Sequence, residues 1–355
     1  MCIPLNPLKS SGAEVGLHFI DGTTNAVNGS YVARIYKPDS VVLNEEGTEV
    51  EDAKKLHKYD AAFYSKMSMN IEGGTENSGV LNIKSENEGL DSELHLTING
   101  GNINIESGND GINTNEDGVS VTTINNGVLN ILVNGNTGEG DGIDSNGWLV
   151  INGGTVITSA CANSADAGID SDMGIHINGG TIMSSGHMLD RIEDSGQNYA
   201  VFNFAQMQDG KSVITLKDED GNTIMEHLPQ NSFSVLIFSA PELKAGSYTL
   251  WCEDKQLAGT NGGFVIGGHG NDGMMPGGGQ RPEGEVPEMP ENMEITEGMN
   301  PDDMTPPEIP EGIALSDSEQ QPPMGFHNLM NSDKLSKEIV ISEGGNMFGS
   351  VSIAK

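Results

Sequence analysis

Apolar and polar residues alternate one for one through the middle of the chain, in short runs broken by glycine. Leu96 and Ile98, then Ile103 and Ile105, share one parity, while Thr97, Asn102 and Asn104 take the other. A period of two marks a strand with one covered face. Leu149, Ile151 and Val156 repeat the pattern, as do Ile175, Ile177 and Ile182. Each run carries the same phrase: Ile71-Glu72-Gly73-Gly74, Ile98-Asn99-Gly100-Gly101, Ile124-Asn125-Asn126-Gly127, Ile151-Asn152-Gly153-Gly154 and Ile177-Asn178-Gly179-Gly180. Successive phrases stand 27, 26, 27 and 26 residues apart. That repeat is too short for propeller blades and too polar for helical repeats, and fits one coil of stacked strands. The pattern predicts an all-β fold, a right-handed parallel β-helix of roughly five to seven coils. Ile71, Ile98, Ile124, Ile151 and Ile177 should form one inward column. The glycine pair allows positive φ at a corner, and the asparagines can form a stacked amide ladder.

From about Tyr199 the period stops. Hairpin-like runs follow at Tyr199–Phe204, Ser212–Leu216, Thr223–Glu226, Ser232–Phe238 and Ser247–Trp251, with a turn at Asp220-Gly221. Residues 267–330 hold 10 prolines, 8 methionines, 13 acidic residues and one basic residue, Arg281. Ser336–Ile341 and Gly349–Ile353 read as strands again. The expected organisation is a parallel β-helix over 1–196, an antiparallel β cap over 197–266 plus 336–355 that protects the end of the coil, and a disordered insertion over 267–335.

A second phrase is interleaved with the first: Glu88-Gly89-Leu90-Asp91-Ser92-Glu93, Asp110-Gly111-Ile112-Asn113-Thr114-Asn115, Asp141-Gly142-Ile143-Asp144-Ser145-Asn146 and Ala167-Gly168-Ile169-Asp170-Ser171-Asp172. With the apolar residue inward, the residues one and three later face outward. They form the columns Asp91/Asn113/Asp144/Asp170 and Glu93/Asn115/Asn146/Asp172. Neighbouring coils lie about 4.8 Å apart, where like charges repel by roughly 1 kcal/mol in water and by several times more in a partly buried groove. Residues 71–190 contain 17 acidic residues and one Lys or Arg, Lys84, so protein cations cannot offset them. Calcium, a hard ion with many oxygen ligands and tolerant geometry, suits the task. Asp91, Glu93, Asp110, Asn113, Asp141, Asp144, Asp170 and Asp172 are the candidate ligands. The alternative is a solvated acidic face whose Asp and Asn serve only as turn residues.

Charge narrows the partners. With 52 acidic and 17 basic residues among 355, the formal charge is −35, which repels nucleic acid and anionic membrane surfaces. No stretch offers the apolar run of a membrane span, and residues 1–20 lack the order of an export signal. Cys2, Cys161 and Cys252 are read as isolated thiols. A monomer is expected.

The stretch Asp141–Thr158, DGIDSNGWLVINGGTVIT, resembles bacterial carbohydrate-binding domain-containing proteins, secreted right-handed parallel β-helices related in shape to pectate lyases. Thr215–Asn222 (TLKDEDGN) and Ser239–Tyr248 (SAPELKAGSY) are similar to that family's C-terminal part, and the resemblance spans residues 15–266 and 336–355. It implies binding of polygalacturonate or a β-linked glucan, bound calcium, and an extracellular or cell-surface setting. Ala167 departs from the acid seen at Asp110 and Asp141.

A non-catalytic polysaccharide binder is the leading expectation, with Asp144 and Asp170 presenting calcium to a sugar carboxylate. Neutral sugars usually need aromatic platforms, and Trp148 is the only aromatic residue in 71–190. Its parity opposite Leu149 suggests an outward position and a single stacking contact. A polysaccharide lyase would need a base, for which Lys84 and Arg191 are the nearby candidates. A surface adhesin that calcium only rigidifies is the third reading.

Overall fold

The structure is a computed structural model that describes residues 8–9, 17–28, 33–36, 42–44, 50–52, 55–59, 61–193, 195–261 and 335–354. The expected insertion over 267–335 lies outside the described residues as far as 334. Within them the chain is nearly all β. Among the described residues the one helical element is a 3-10 turn at Thr75–Asn77, and none of their helices is long and apolar enough to cross a membrane.

The repeats contribute strands to three sheets, each strand pairing in parallel with its counterpart in the next repeat, and the third sheet ends one repeat before the other two. The first sheet contains Leu17–Phe19, Ser68–Ile71, His95–Ile98, Val121–Ile124, Trp148–Ile151 and Gly174–Ile177. The expected column is present there: Ile71 pairs with Ile98, Ile98 with Ile124, Ile124 with Ile151 and Ile151 with Ile177. All five are at most 3% exposed. The second sheet takes Thr23–Asn28, Val80–Ser85, Asn102–Ser107, Val128–Val133, Thr155–Ser159 and Thr181–Gly186. Leu81, Ile103, Leu129, Val156 and Ile182 form its buried column. The third sheet is built of three-residue strands, Phe63–Ser65, Leu90–Ser92, Ile112–Thr114 and Ile143–Ser145, with Leu8–Lys9 at its edge. Phe63, Leu90, Ile112 and Ile143 line up in it. The three columns meet in one apolar cluster, and each fully buried Ile or Leu contributes roughly 1.5–3 kcal/mol relative to exposure.

The corner between the first and second sheets uses the Gly phrase in two ways. The second glycine of each phrase has positive φ, 80° at Gly154 for example. At Gly153 and Gly179 the first position is held by close approach, since a Cβ there would lie 2.5 Å from the carbonyl oxygens of Asn125 and Asn152, whereas the third phrase carries Asn126 at this place. Beside the glycines runs the expected amide ladder. Asn99 Nδ2 donates to Glu72, Asn125 to Asn99, Asn152 to Asn125 and Asn178 to Asn152, at 2.8–3.0 Å.

Thr181–Gly186, the last parallel strand of the second sheet, pairs antiparallel with Phe233–Ser239, which pairs in turn with Tyr199–Gln208. The sheet then continues through Gly345–Ile353, Lys255–Asn261, Gly246–Cys252, Ile214–Asp218 and Thr223–His227, while Ile339–Ile341 pairs with Gly246–Cys252. The hairpin turn at Asp220-Gly221 is present, with Gly221 at φ 83°. Alternation lets two of these strands serve two cores. Tyr199, Val201, Val235 and Ile237 extend the apolar cluster of the repeats, whereas Ala200, Phe202, Leu236 and Phe238 face a second cluster.

Candidate metal centre

The acidic phrase turns the chain from the second sheet into the third. Leu90, Ile112, Ile143 and Ile169 are fully buried, so the residue after each takes the opposite parity. Asp91, Asn113 and Asp144 are thereby paired in register. Asp170 and Asp172 lie beyond the last named strand of this sheet, yet they extend its ladder: their main-chain N–H groups donate to Ile143 O at 2.7 Å and Ser145 O at 2.9 Å. The glycine inside the phrase permits the backbones to approach, because a Cβ on Gly142 would lie 2.3 Å from Gly168 O. The acid before it is held by the next turn. Asp110 Oδ1 accepts the Asp141 N–H at 2.7 Å, and Asp141 Oδ1 accepts the Ala167 N–H at 2.5 Å.

Among the described residues, one group of acidic, His or Cys side chains is placed to hold an ion: Asp141, Asp144 and Asp170, each with a carboxylate oxygen within 4.8 Å of the others. Each keeps only partial solvent access. Desolvation, followed by the charges of Asp170, Asp110, Asp144 and Asp166, holds Asp141 well above the usual carboxylate range. Desolvation and then Asp110, Asp170, Asp172 and Glu88 do the same to Asp144. Burial, with Asp190 and Asp172 next, pushes Asp170 up to about 7. Its Oδ1 is buried without a hydrogen-bond partner. Three crowded oxygens with no nitrogen or sulfur donor fit a hard cation, and calcium meets that description.

The other expected ligands do not join this group. Asn115 Nδ2 donates to Asp91 Oδ1 at 2.5 Å, and the Tyr64 hydroxyl donates to Glu93 at 2.7 Å. Asn113 donates to Glu88 at 3.4 Å and to Asn115 at 3.3 Å. Asp172 is exposed. The first outward column keeps its parity but loses exposure, Asp91 being 1% exposed and Asn113 8%, while Asp110, which stands before the glycine, is 9% exposed. A three-residue strand between two turns leaves its outer side chains covered by the turns themselves. The outward, stacking Trp148 is also corrected, since it is 5% exposed. It follows the Asn146-Gly147 turn, where a Cβ on Gly147 would lie 1.8 Å from Ser120 O, and it pairs with Gly174, which has no side chain. Parity sets the side of the strand from which the ring leaves, not how deeply it is covered.

Glu88, Asp166 and Asp190 belong to the site's surroundings and were not among the expected ligands. Asp190 Oδ2 accepts the Ser171 N–H at 3.1 Å, and Asp166 accepts the Gly140 N–H at 2.5 Å. The signal for Asp190 was in the sequence. Leu189-Asp190 repeats the apolar-then-acid dyad of Ile143-Asp144 and Ile169-Asp170, but without the preceding glycine.

Comparisons with curated proteins and with solved structures find no match. The family model of carbohydrate-binding domain-containing proteins matches residues 14–200, just over half of the chain and all of the carboxylate group, so this chain belongs to that family.

Proposed function

We propose that the chain is a non-catalytic binder of acidic polysaccharide, wound as a right-handed parallel β-helix, that grips a polygalacturonate-like strand through calcium held by Asp141, Asp144 and Asp170. The right hand follows from the rule for parallel strands joined by crossover connections. The observation that carries the reading is the carboxylate group itself. Three partly enclosed acids with raised affinity for protons and one unpartnered buried oxygen need either protons or a cation at neutral pH. When bound, calcium would neutralise that charge and leave coordination positions for a sugar carboxylate. A polyuronate meeting a protein of charge −35 needs such a bridge, because direct contact is repulsive. An extracellular or cell-surface setting suits a site of this kind, since calcium modules there are tuned to roughly 10⁻⁴–10⁻³ M.

Non-catalysis is favoured by the state of the two candidate bases. Lys84 Nζ lies 2.8 Å from Glu106, which raises its pKa and keeps it protonated, so it is not available to take a proton. Arg191 lies 2.5 Å from Glu193 and donates to Met173 O at 2.7 Å. Titration calorimetry with hexagalacturonate tests the reading. Binding should appear with calcium, vanish in excess chelator, and be lost in the double variant Asp144→Ala with Asp170→Ala while the β circular dichroism persists. Equal binding in chelator would refute it.

A further inference from the structure

We infer that the outer face of the second sheet carries a second glycan subsite, one that takes a neutral, unbranched polysaccharide strand without a cation. It lies apart from the carboxylate group and rests on the carbohydrate-binding reading only for the class of its ligand.

A groove of about 610 Å³ runs across this face, within the size range of ligand sites. Its floor is a second amide ladder. Asn25, Asn82, Asn104 and Asn130 are paired in register, and each Nδ2 donates to the preceding Oδ1 at 2.9 Å. Leu228 and Gln230, in the segment after Thr223–His227, form one wall.

The groove's charges cancel. Lys84 and Glu106, its only ionic residues, are paired with each other at 2.8 Å. A polyanion would therefore find no free cation here, and a neutral chain would give up no charge solvation on entering. The amides still offer polar contacts. An NH₂ group has two hydrogens, and the ladder uses one from Asn82 and one from Asn130. Above Asn130 the register partner is Ile157, which has no donor, so the ladder ends with Asn130 Oδ1 open to a ligand hydroxyl. Asn104 spends both of its hydrogens, on Asn82 and on Asn102, so the free donors of Asn82 and Asn130 stand two strands apart, about 9.6 Å, close to the length of two pyranose units in an extended chain. Hydroxyls of alternate sugar units can thus meet them. Val27, Leu132, Ile157 and Leu228 supply apolar surface for the C–H faces of the rings. No lining residue is aromatic, so affinity must accumulate along the chain and should grow with ligand length.

The test is calorimetry or affinity electrophoresis with a β-1,4-linked glucose hexamer and dimer, in excess chelator. The hexamer should bind at least about tenfold more tightly than the dimer. Leu228→Asp, an exposed wall change, should weaken the hexamer about tenfold or more, as should Asn130→Leu. Asp144→Ala with Asp170→Ala should leave it unchanged, and Leu228→Asp should keep its calcium-dependent binding of hexagalacturonate. No hexamer binding by the wild type in chelator, or normal hexamer binding by folded Leu228→Asp, overturns the proposal. Should Asn130→Leu fail to fold, Leu228→Asp alone decides. Loss of calcium-dependent uronate binding by the wild type would defeat the carboxylate reading and leave the groove standing.

Discussion

The main-chain N–H of Ala167 donates to Oδ1 of Asp141 at 2.5 Å, just as the N–H of Asp141 donates to Oδ1 of Asp110 at 2.7 Å. Each turn thus uses its backbone to hold the acid of the preceding turn, and the series of acids stops at Ala167. An aspartate at this 1% exposed position would add a fourth carboxylate beside Asp141. Ala167→Asp is therefore expected to lower stability in chelator by a few kcal/mol, because it buries an uncompensated charge. The same charge should enlarge the rise in Tm on adding calcium. Thermal melts of both proteins with and without calcium measure this, and an equal calcium shift in the two would argue against an ion at this turn.

Proton linkage gives the carboxylate group a pH signature. Asp170 binds its proton up to about pH 7 in the fold, against 3.8 for an ordinary aspartate, and Asp141 and Asp144 shift the same way. Protonation of a group with a raised native pKa stabilises the fold below its unfolded pKa, and that stability disappears as the pH climbs through the native value. In chelator the urea midpoint should consequently fall between about pH 5 and pH 8. Calcium binds the ionised form and should reverse the trend at the upper end. Asp170→Asn should flatten the decline in chelator. A wild-type midpoint that rises over this interval in chelator would be incompatible with the packed acids.

Ile151 and Asn152 are adjacent in the chain but stabilise it differently. Ile151 is fully buried between Ile124 and Ile177, and its truncation to Ala should cost about 2–5 kcal/mol. Asn152 is solvent-exposed and makes two ladder bonds, to Asn125 and from Asn178. Asn152→Ala should cost only about 1–2 kcal/mol. Urea unfolding of the two variants checks the ordering, which would fail if the ladder change proved as costly as the core change.

These two residues also show what was legible beforehand. A period of two combined with a 26- or 27-residue repeat fixes both the face and the neighbour of Ile151, so the inward column and the Asn99-to-Asn178 ladder could be read directly. Parity tells which way a side chain leaves the strand but not what covers it. It therefore found Asp144 and Asp170 and misjudged the exposure of Trp148 and Asp91. The cluster of Asp141 with Asp144 and Asp170 joins two columns across a turn, and only backbone geometry could bring them together. Of the ladder from Asn25 to Asn130, only the Asn104–Asn130 rung keeps the 26-residue period; Asn82 and Asn104 are 22 residues apart and Asn25 and Asn82 57, so spacing alone does not reveal it.

His227 provides an independent pH test at the junction between the parallel and antiparallel strands. It is 3% exposed, and burial pulls its pKa from 6.5 down to about 4. Its Nε2 lies 3.5 Å from Ser185 Oγ, which bonds Thr158 O at 3.1 Å and Ser159 Oγ at 3.2 Å. The ring is thus neutral among hydroxyl groups at pH 7. An unfolded chain takes up the proton near pH 6.5 and the folded chain does not, so acid favours unfolding. Stability is lost as the pH falls from about 6.5 toward 4, by about 3 kcal/mol in all. His227→Leu removes the titration, although it also gives up the long contact with Ser185. The informative quantity is the difference in urea stability between wild type and variant, measured in calcium at about pH 7.5 and pH 4.5, because other titrating groups cancel in that difference. The variant should gain on the wild type by about 2–3 kcal/mol on acidification. A difference that stays constant with pH would mean that the imidazole is charged, or reached by water, within the fold.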